Sequence, residues 1–335
     1  MKCNKGRKTI AKRPETGNRP EMFREIKLSD KAWMDQCRAH GLQEMTVVSF
    51  PAVYTWQSTF GLTIDGDSRF YVVRSEEDKG YYYPVGDSDT CRAYVLSLLK
   101  SCRQQNRFSG QDEVPGVHAD SSLRTGTSFK NLKLVYVPKQ ELGWLEALGF
   151  TIKYEPDTSE YIYSSRSLAF LDSGSGTNYR VKIRHFSRDN IWQSKPLVFP
   201  GSEALLKEKT AALESIISHS SGEDILALLC ASENPAEIGL SGVYIETSTH
   251  DWAFLLGYPS NSRIYDMSFV KYSPGISRNA VPVCISETAK LVYQTWPLIN
   301  LEDDLGVEGL RKMKRLYHPL CQLDSYTAVF EPKGE

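Results

Sequence analysis

The chain has 335 residues, 41% hydrophobic and 24% charged, with a formal net charge of −1. That length accommodates two ordinary domains, and the balanced charge argues against a dedicated nucleic-acid binder. No apolar run approaches the roughly 20 residues that span a bilayer. The N-terminal MKCNKGRKTIAKRP lacks the apolar core of a secretory signal. Seven scattered cysteines, without a Cys-x-x-Cys pair, read as reduced thiols of a cytoplasmic protein and offer no zinc site.

Residues 1–22 hold seven Lys/Arg against Glu15 and Glu21 and read as a disordered basic tail. A helix is expected over Asp30–His40, then strands at Leu62–Ile64, Phe70–Val73 and Lys79–Pro84. Asp89–Cys102 reads as a helix burying Ala93, Val95, Leu96, Leu98 and Leu99. A strand at Leu132–Val137 and a short helix at Lys139–Leu148 follow. In the second half a helix begins at Ser164, and a glycine-rich break precedes the basic stretch Tyr179–Asp189. Ser202–His219 is amphipathic through Leu205, Leu206, Ala212, Leu213, Ile216 and Ile217, and Asp224–Cys230 begins another helix. Strands are expected at Gly242–Glu246, Trp252–Tyr258 and Ser268–Tyr272, then a Pro274-Gly275 turn and a helix over Ala280–Thr295. This alternation favours an α/β or α+β protein of two similar halves, 23–155 and 156–335.

The most informative stretch is Pro297–Pro319, PLINLEDDLGVEGLRKMKRLYHP. A short strand ending at Asn300 meets Glu302, Asp303 and Asp304, and a helix follows with Leu310, Met313 and Tyr317 at helical spacing. Acids ahead of a helix suit its dipole and can serve as caps. The dipole does not account for Gly306 and Gly309, each costing roughly 1 kcal/mol in a helix, so close approach to that backbone is expected. The three carboxylates suit a general base, an amine site or, less favoured because no histidine is near in sequence, a divalent ion such as Mg²⁺ or Ca²⁺, and a solvated helix cap is the structural alternative. Arg311 and Lys314 share a helix face and suit a phosphate or carboxylate, an ion pair with Glu308 being the alternative. As exposed cations they should contribute little to stability. Tyr161, Tyr163, Lys182 and Arg184 form an aromatic and basic neighbourhood in sequence. The chain carries no Walker loop, dinucleotide fingerprint, G-x-S-x-G elbow or H-E-x-x-H.

This C-terminal segment resembles the signature of an uncharacterised bacterial family related to the C-terminal domain of phosphatidylglycerol lysyltransferase. Phe50–Trp56, Tyr83–Gly86 and Asp157–Leu171 are similar to further family segments in the same order. The resemblance implies a tandem of two acyltransferase folds of the GNAT type, with the boundary near residue 155 and the site in the second. It implies transfer of an activated acyl group, from aminoacyl-tRNA or acyl-CoA, to a small-molecule, peptidyl or lipid acceptor. Glu302, Asp303, Asp304 and Asn300 would then act on the acceptor. Arg311 and Lys314 would hold the carrier, aided by Tyr161, Tyr163, Lys182 and Arg184. In a GNAT fold the Tyr272–Arg278 loop, with Gly275 and Arg278, would face the cofactor pyrophosphate. Its single glycine and Pro274 depart from the acetyl-CoA pattern, and a plain strand-to-helix turn is the alternative. A non-catalytic binding protein that keeps the acyltransferase fold is the competing class.

Overall fold

The computed structural model describes residues 23–108, 131–171, 177–216 and 223–332. The expected tail at 1–22, the glycine-rich break and the end of the helix drawn to His219 lie outside those residues. In the first half come α1 (Lys31–His40), α2 (Phe50–Phe60), β1 (Leu62–Asp67), β2 (Phe70–Ser75), β3 (Gly80–Tyr82) and β4 (Val85–Gly86). Then follow α3 (Ser88–Phe108), β5 (Leu132–Val135), α4 (Leu142–Ala147) and β6 (Thr151–Tyr154). The second half holds β7 (Glu160–Ser164), α5 (Ser165–Phe170), α6 (Thr177–Asp189), β8 (Trp192–Val198), α7 (Glu203–Ile216), α8 (Glu223–Glu233) and α9 (Pro235–Ile238). It continues through β9 (Ser241–Thr247), β10 (Trp252–Pro259), β11 (Ile264–Tyr272), α10 (Ala280–Val292), β12 (Leu298–Asn300), α11 (Glu308–Leu316), β13 (Cys321–Leu323) and β14 (Tyr326–Phe330).

Two seven-stranded mixed sheets result, each with one parallel pair joined through a helix: β3–α3–β5 and β11–α10–β12. Next to the parallel pair the order runs β5-β14-β6 in one sheet and β12-β7-β13 in the other. The halves therefore share one strand arrangement and exchange a strand. After edge strand β6 the chain crosses to become β7 of the second sheet, and after edge strand β13 it returns as β14 of the first. The final strand thus departs from the contiguous 156–335 unit drawn from the sequence. The two crossing segments are tied together: Glu155 N donates to Ser325 O at 2.8 Å, and Ser325 N donates to Ser159 Oγ at 3.1 Å.

Three apolar clusters give the layering. One lies under α3 and α4, through Val95, Leu98, Leu99 and Leu145. A second lies between the sheets, where Phe50, Val53 and Tyr71 meet Leu228, Phe254, Leu256 and Phe269. The third packs α5, α10 and α11 on the far face of the second sheet. On α3 the buried stripe is Cys91, Val95, Leu98, Leu99 and Cys102, whereas Ala93 and Leu96, expected inside, face outward. The 3.6-residue period carries those two off the stripe. Strand β11 starts four residues earlier than expected, and its pairing with β10 slips so that Ser268 is an extra, bulged residue. No described helix is long and apolar enough to cross a membrane.

Candidate functional site

The acidic segment is not a helix N-terminus; it is a loop that α11 follows. Asn300, wholly buried at the end of β12, donates to Thr46 Oγ1 at 2.6 Å and accepts from Glu302 N at 2.8 Å. Glu302 takes a left-handed backbone (φ 62°) and Leu305 follows suit (φ 50°), both unfavourable for residues with a Cβ. Gly306 is left-handed as well (φ 74°), which explains one glycine by local geometry, and its Cα faces the Asp157 carboxylate. Gly309 has open space where a Cβ would stand, so the close approach expected there is absent.

Asp304 is fully buried and committed. Arg311 grips it through Nε–Oδ2 (2.8 Å) and Nη2–Oδ1 (2.7 Å), and Tyr161 OH donates to Oδ2 at 2.6 Å. The Arg311 guanidinium holds its pKa down to about 2, against the opposing cost of burial. Arg311 also reaches Asp157 Oδ1 at 2.5 Å. Lys314, expected as an exposed cation, is 4% exposed and donates to the carbonyls of Leu301 and Asp303. Tyr163, also buried, donates to Lys314 O at 2.8 Å. Arg311, Lys314 and Tyr161 therefore hold the 301–306 loop in shape, and Tyr163 ties α11 to β7.

Glu302 and Asp303 occupy a different environment, at the edge of a buried ionic cluster between the halves. Glu160, at the start of β7, accepts from Thr46 N (2.8 Å), Val47 N (2.9 Å) and Thr46 Oγ1 (3.0 Å). Asp266, in β11, lies in register with Asn300 and opposite Tyr258, and its Oδ1 has no hydrogen-bond partner. Arg38, at the end of α1, donates to Met45 O at 2.7 Å. Burial raises the Glu160 pKa despite the Thr46 and Val47 bonds and raises Asp266 strongly, with the Glu302 charge adding to the latter. Burial also pushes Glu302 up to about 7 and Asp303 up to about 6, with Lys314 opposing both. The same burial lowers Lys314 and Arg38. Among the described residues, Arg38 acts on Glu160 and Asp266, and Lys314 acts on Glu302 and Asp303. Glu302 and Asp303 are partly exposed while the rest are buried, so the cluster opens to solvent at these two acids.

The remaining expected positions lie elsewhere. Lys182 and Arg184 sit on α6, partly exposed and exposed. The Tyr272–Arg278 loop does connect β11 to α10. Its backbone at Gly275, however, is covered by a carboxylate: a Cβ there would stand 2.2 Å from Asp251 Oδ1. Asp251 is held in place by Thr249 Oγ1 at 2.9 Å and Ser273 Oγ at 3.2 Å. An acid in that position repels a pyrophosphate. Arg278 is exposed.

Sequence reading missed Arg38, Thr46, Glu160 and Asp266, which come from three distant segments. Two of them carried a signal: Glu160 opens the apolar run EYIYS and Asp266 lies inside IYDMSF. A charge on a buried strand requires a partner or a function.

The assembly so defined is a two-sheet mixed α/β protein with strands exchanged between its halves and a partly open carboxylate cluster between them. No family model matches the sequence, and no curated protein sequence matches it. Solved structures share the fold. A conserved protein of unknown function from Bacteroides thetaiotaomicron is 21% identical, with a TM-score of 0.72, over 92% of this chain and 99% of that one. The C-terminal domain (DUF2156) of a protein described as a lysylphosphatidylglycerol synthetase, from Agrobacterium fabrum, matches at 10% identity and TM-score 0.59 over 92% and 93%. L-PGS from Bacillus licheniformis matches at 11% identity and TM-score 0.55 over 83% and 90%. The relation to the C-terminal domain of phosphatidylglycerol lysyltransferase, expected from the Pro297–Pro319 motif, is thus present in the fold.

Proposed function

We propose that this protein transfers an activated acyl or aminoacyl group to an amine or hydroxyl acceptor, with Glu302 as the general base. One observation carries this reading: Glu302 is a partly exposed residue whose carboxyl is pushed up to about 7 by burial, on a strained backbone fixed by Asn300. A base with a pKa near the working pH is well matched to proton removal. In the reaction the acceptor nitrogen or oxygen attacks the donor carbonyl carbon while Glu302 takes the acceptor's proton. The carrier oxygen or sulfur then leaves and is protonated in turn. Asp303 sits beside the base and suits an acceptor ammonium or hydroxyl. Asp304, with both oxygens engaged and its pKa near 2, is reassigned from base to loop anchor, and Arg311 and Lys314 from carrier contacts to its supports.

The Asp251 carboxylate beside Gly275 favours an aminoacyl ester donor over coenzyme A, because it occupies the turn a pyrophosphate would need. The same carboxylate favours the second reading, a binding protein that takes a small cationic ligand and no carrier. The two readings separate in an assay with labelled aminoacyl-tRNA or acetyl-CoA and a set of primary amines and alcohols. Transfer that falls ~10²–10⁴-fold in Glu302→Gln, with a cooperative melt retained, supports the enzyme. Retention of an amine that neither donor modifies supports the binding protein.

A further inference from the structure

Asp266 is the one acid of the cluster that no element of the loop explains. It is 2% exposed, and one of its carboxyl oxygens lacks a hydrogen-bond partner. It stands in β11 beside Asn300, the residue whose side chain fixes Glu302 N. Ser268, two residues along the same strand, lies next to the Glu302 carboxyl, and the phenol of Tyr258 feels both acids. The charged groups facing Asp266 are Glu160 from β7, Arg38 from α1 and Glu302 and Lys314 from the C-terminal segment. Lys314 is committed to the carbonyls of Leu301 and Asp303, and Arg38 donates through Nη2 to Met45 O while its buried Nη1 has no partner. Four carboxylates among two cations, mostly out of water, cannot all be ionised cheaply.

We propose that Asp266 and Glu302 carry one proton between them at neutral pH, held on the buried Asp266, which makes Asp266 a positioning residue for the base. The inner carboxyl stays neutral and leaves the outer one free to ionise. When Glu302 accepts a proton from the acceptor, both carboxyls are protonated, and the pair returns to one proton by release from Glu302 to solvent. This inference rests on reading Glu302 as the base, but concerns a property of the free protein. A carboxyl whose proton is retained because its neighbour is charged loses that retention when the neighbour becomes neutral.

The test is carboxyl 13C NMR of the whole protein labelled in Asp and Glu side chains, titrated from pH 4 to 9 without substrate. Resonances are assigned by Asp266→Asn and Glu302→Gln. In wild type Glu302 should ionise first and Asp266 at higher pH, each curve inflecting at the other's midpoint. In Glu302→Gln the Asp266 midpoint should fall by about one unit or more, a tenfold change in its ionised fraction. A merely structural Asp266 would alter melting and leave the Glu302→Gln titration unmoved. An Asp266 already ionised below pH 6 in wild type, or independent single-step curves for the two carboxyls, overturns the proposal. If Asp266→Asn does not fold, the Asp266 carboxyl is assigned by through-bond correlation to its own backbone amide, and the wild-type curves decide the matter. Because no donor is present, failure of the pair and failure to observe transfer are separate outcomes.

Discussion

At Lys314 the ammonium is buried against two loop carbonyls, so the energetic expectation differs from that of a surface cation. Removing one partner of a buried ionic arrangement typically costs about 3–5 kcal/mol, because the remaining groups stay uncompensated. Lys314→Ala should therefore destabilise by about that amount in urea unfolding, where an exposed lysine would change stability by less than about 0.5 kcal/mol. A loss below 1 kcal/mol would show that the lysine is not holding the loop. Gly306→Ala tests the loop's backbone: a left-handed non-glycine residue costs roughly 1–2 kcal/mol, and the new Cβ would meet Asp157 Oδ2 at 2.9 Å. The raised acids set the sign of the pH dependence. Glu302 and Asp303, at about 7 and about 6 in the fold, bind protons more tightly than in the unfolded chain. Their contribution is fully present below the unfolded values and is lost as pH rises through the folded ones. Asp304, held near 2, contributes stability above its unfolded value that is lost as pH falls towards 2. Glu302→Gln should thus flatten the decline in Tm between about pH 4.5 and 7, and an unchanged decline would contradict the assignment.

Among the elements, β14 carries more than its position at the chain's end suggests. It pairs with β5 on one side and β6 on the other, and Ala328 in it is fully buried. A chain ending at Ser325 leaves two ladders open in the first sheet. Such a truncation should lose its cooperative thermal transition by circular dichroism. A sharp melt near the wild-type temperature would show that the exchanged strand is dispensable. Amphipathic helices and long apolar strands such as β10 were legible in the sequence because period and length announced them. The exchanged strands were not: EYIYS and YTAVF are short, and their partners lie more than a hundred residues away. Trp192–Val198 escaped for another reason, since its mostly exposed residues give little apolar signal.

For the whole molecule, the site is a product of the way two halves meet. The linear motif Asn300–Arg311 marked the right loop, but the loop's chemistry depends on Arg38, Thr46, Glu160 and Asp266 reaching it from both halves. Which acid would stay ionised could not be read from Glu302-Asp303-Asp304 as neighbours. That is decided by Arg311 and Tyr161 closing on Asp304 while burial acts on the other two. The central claim is that Glu302, perturbed by this meeting of halves, removes the acceptor's proton. Its most direct test is the single-turnover transfer rate of wild type and Glu302→Gln from pH 5 to 9, with saturating labelled aminoacyl donor. The wild-type rate should rise with pH to a plateau, with a midpoint near 7. The variant should be slower by about 10²–10⁴-fold, without that midpoint. Equal rates and the same pH profile in both proteins would contradict the account.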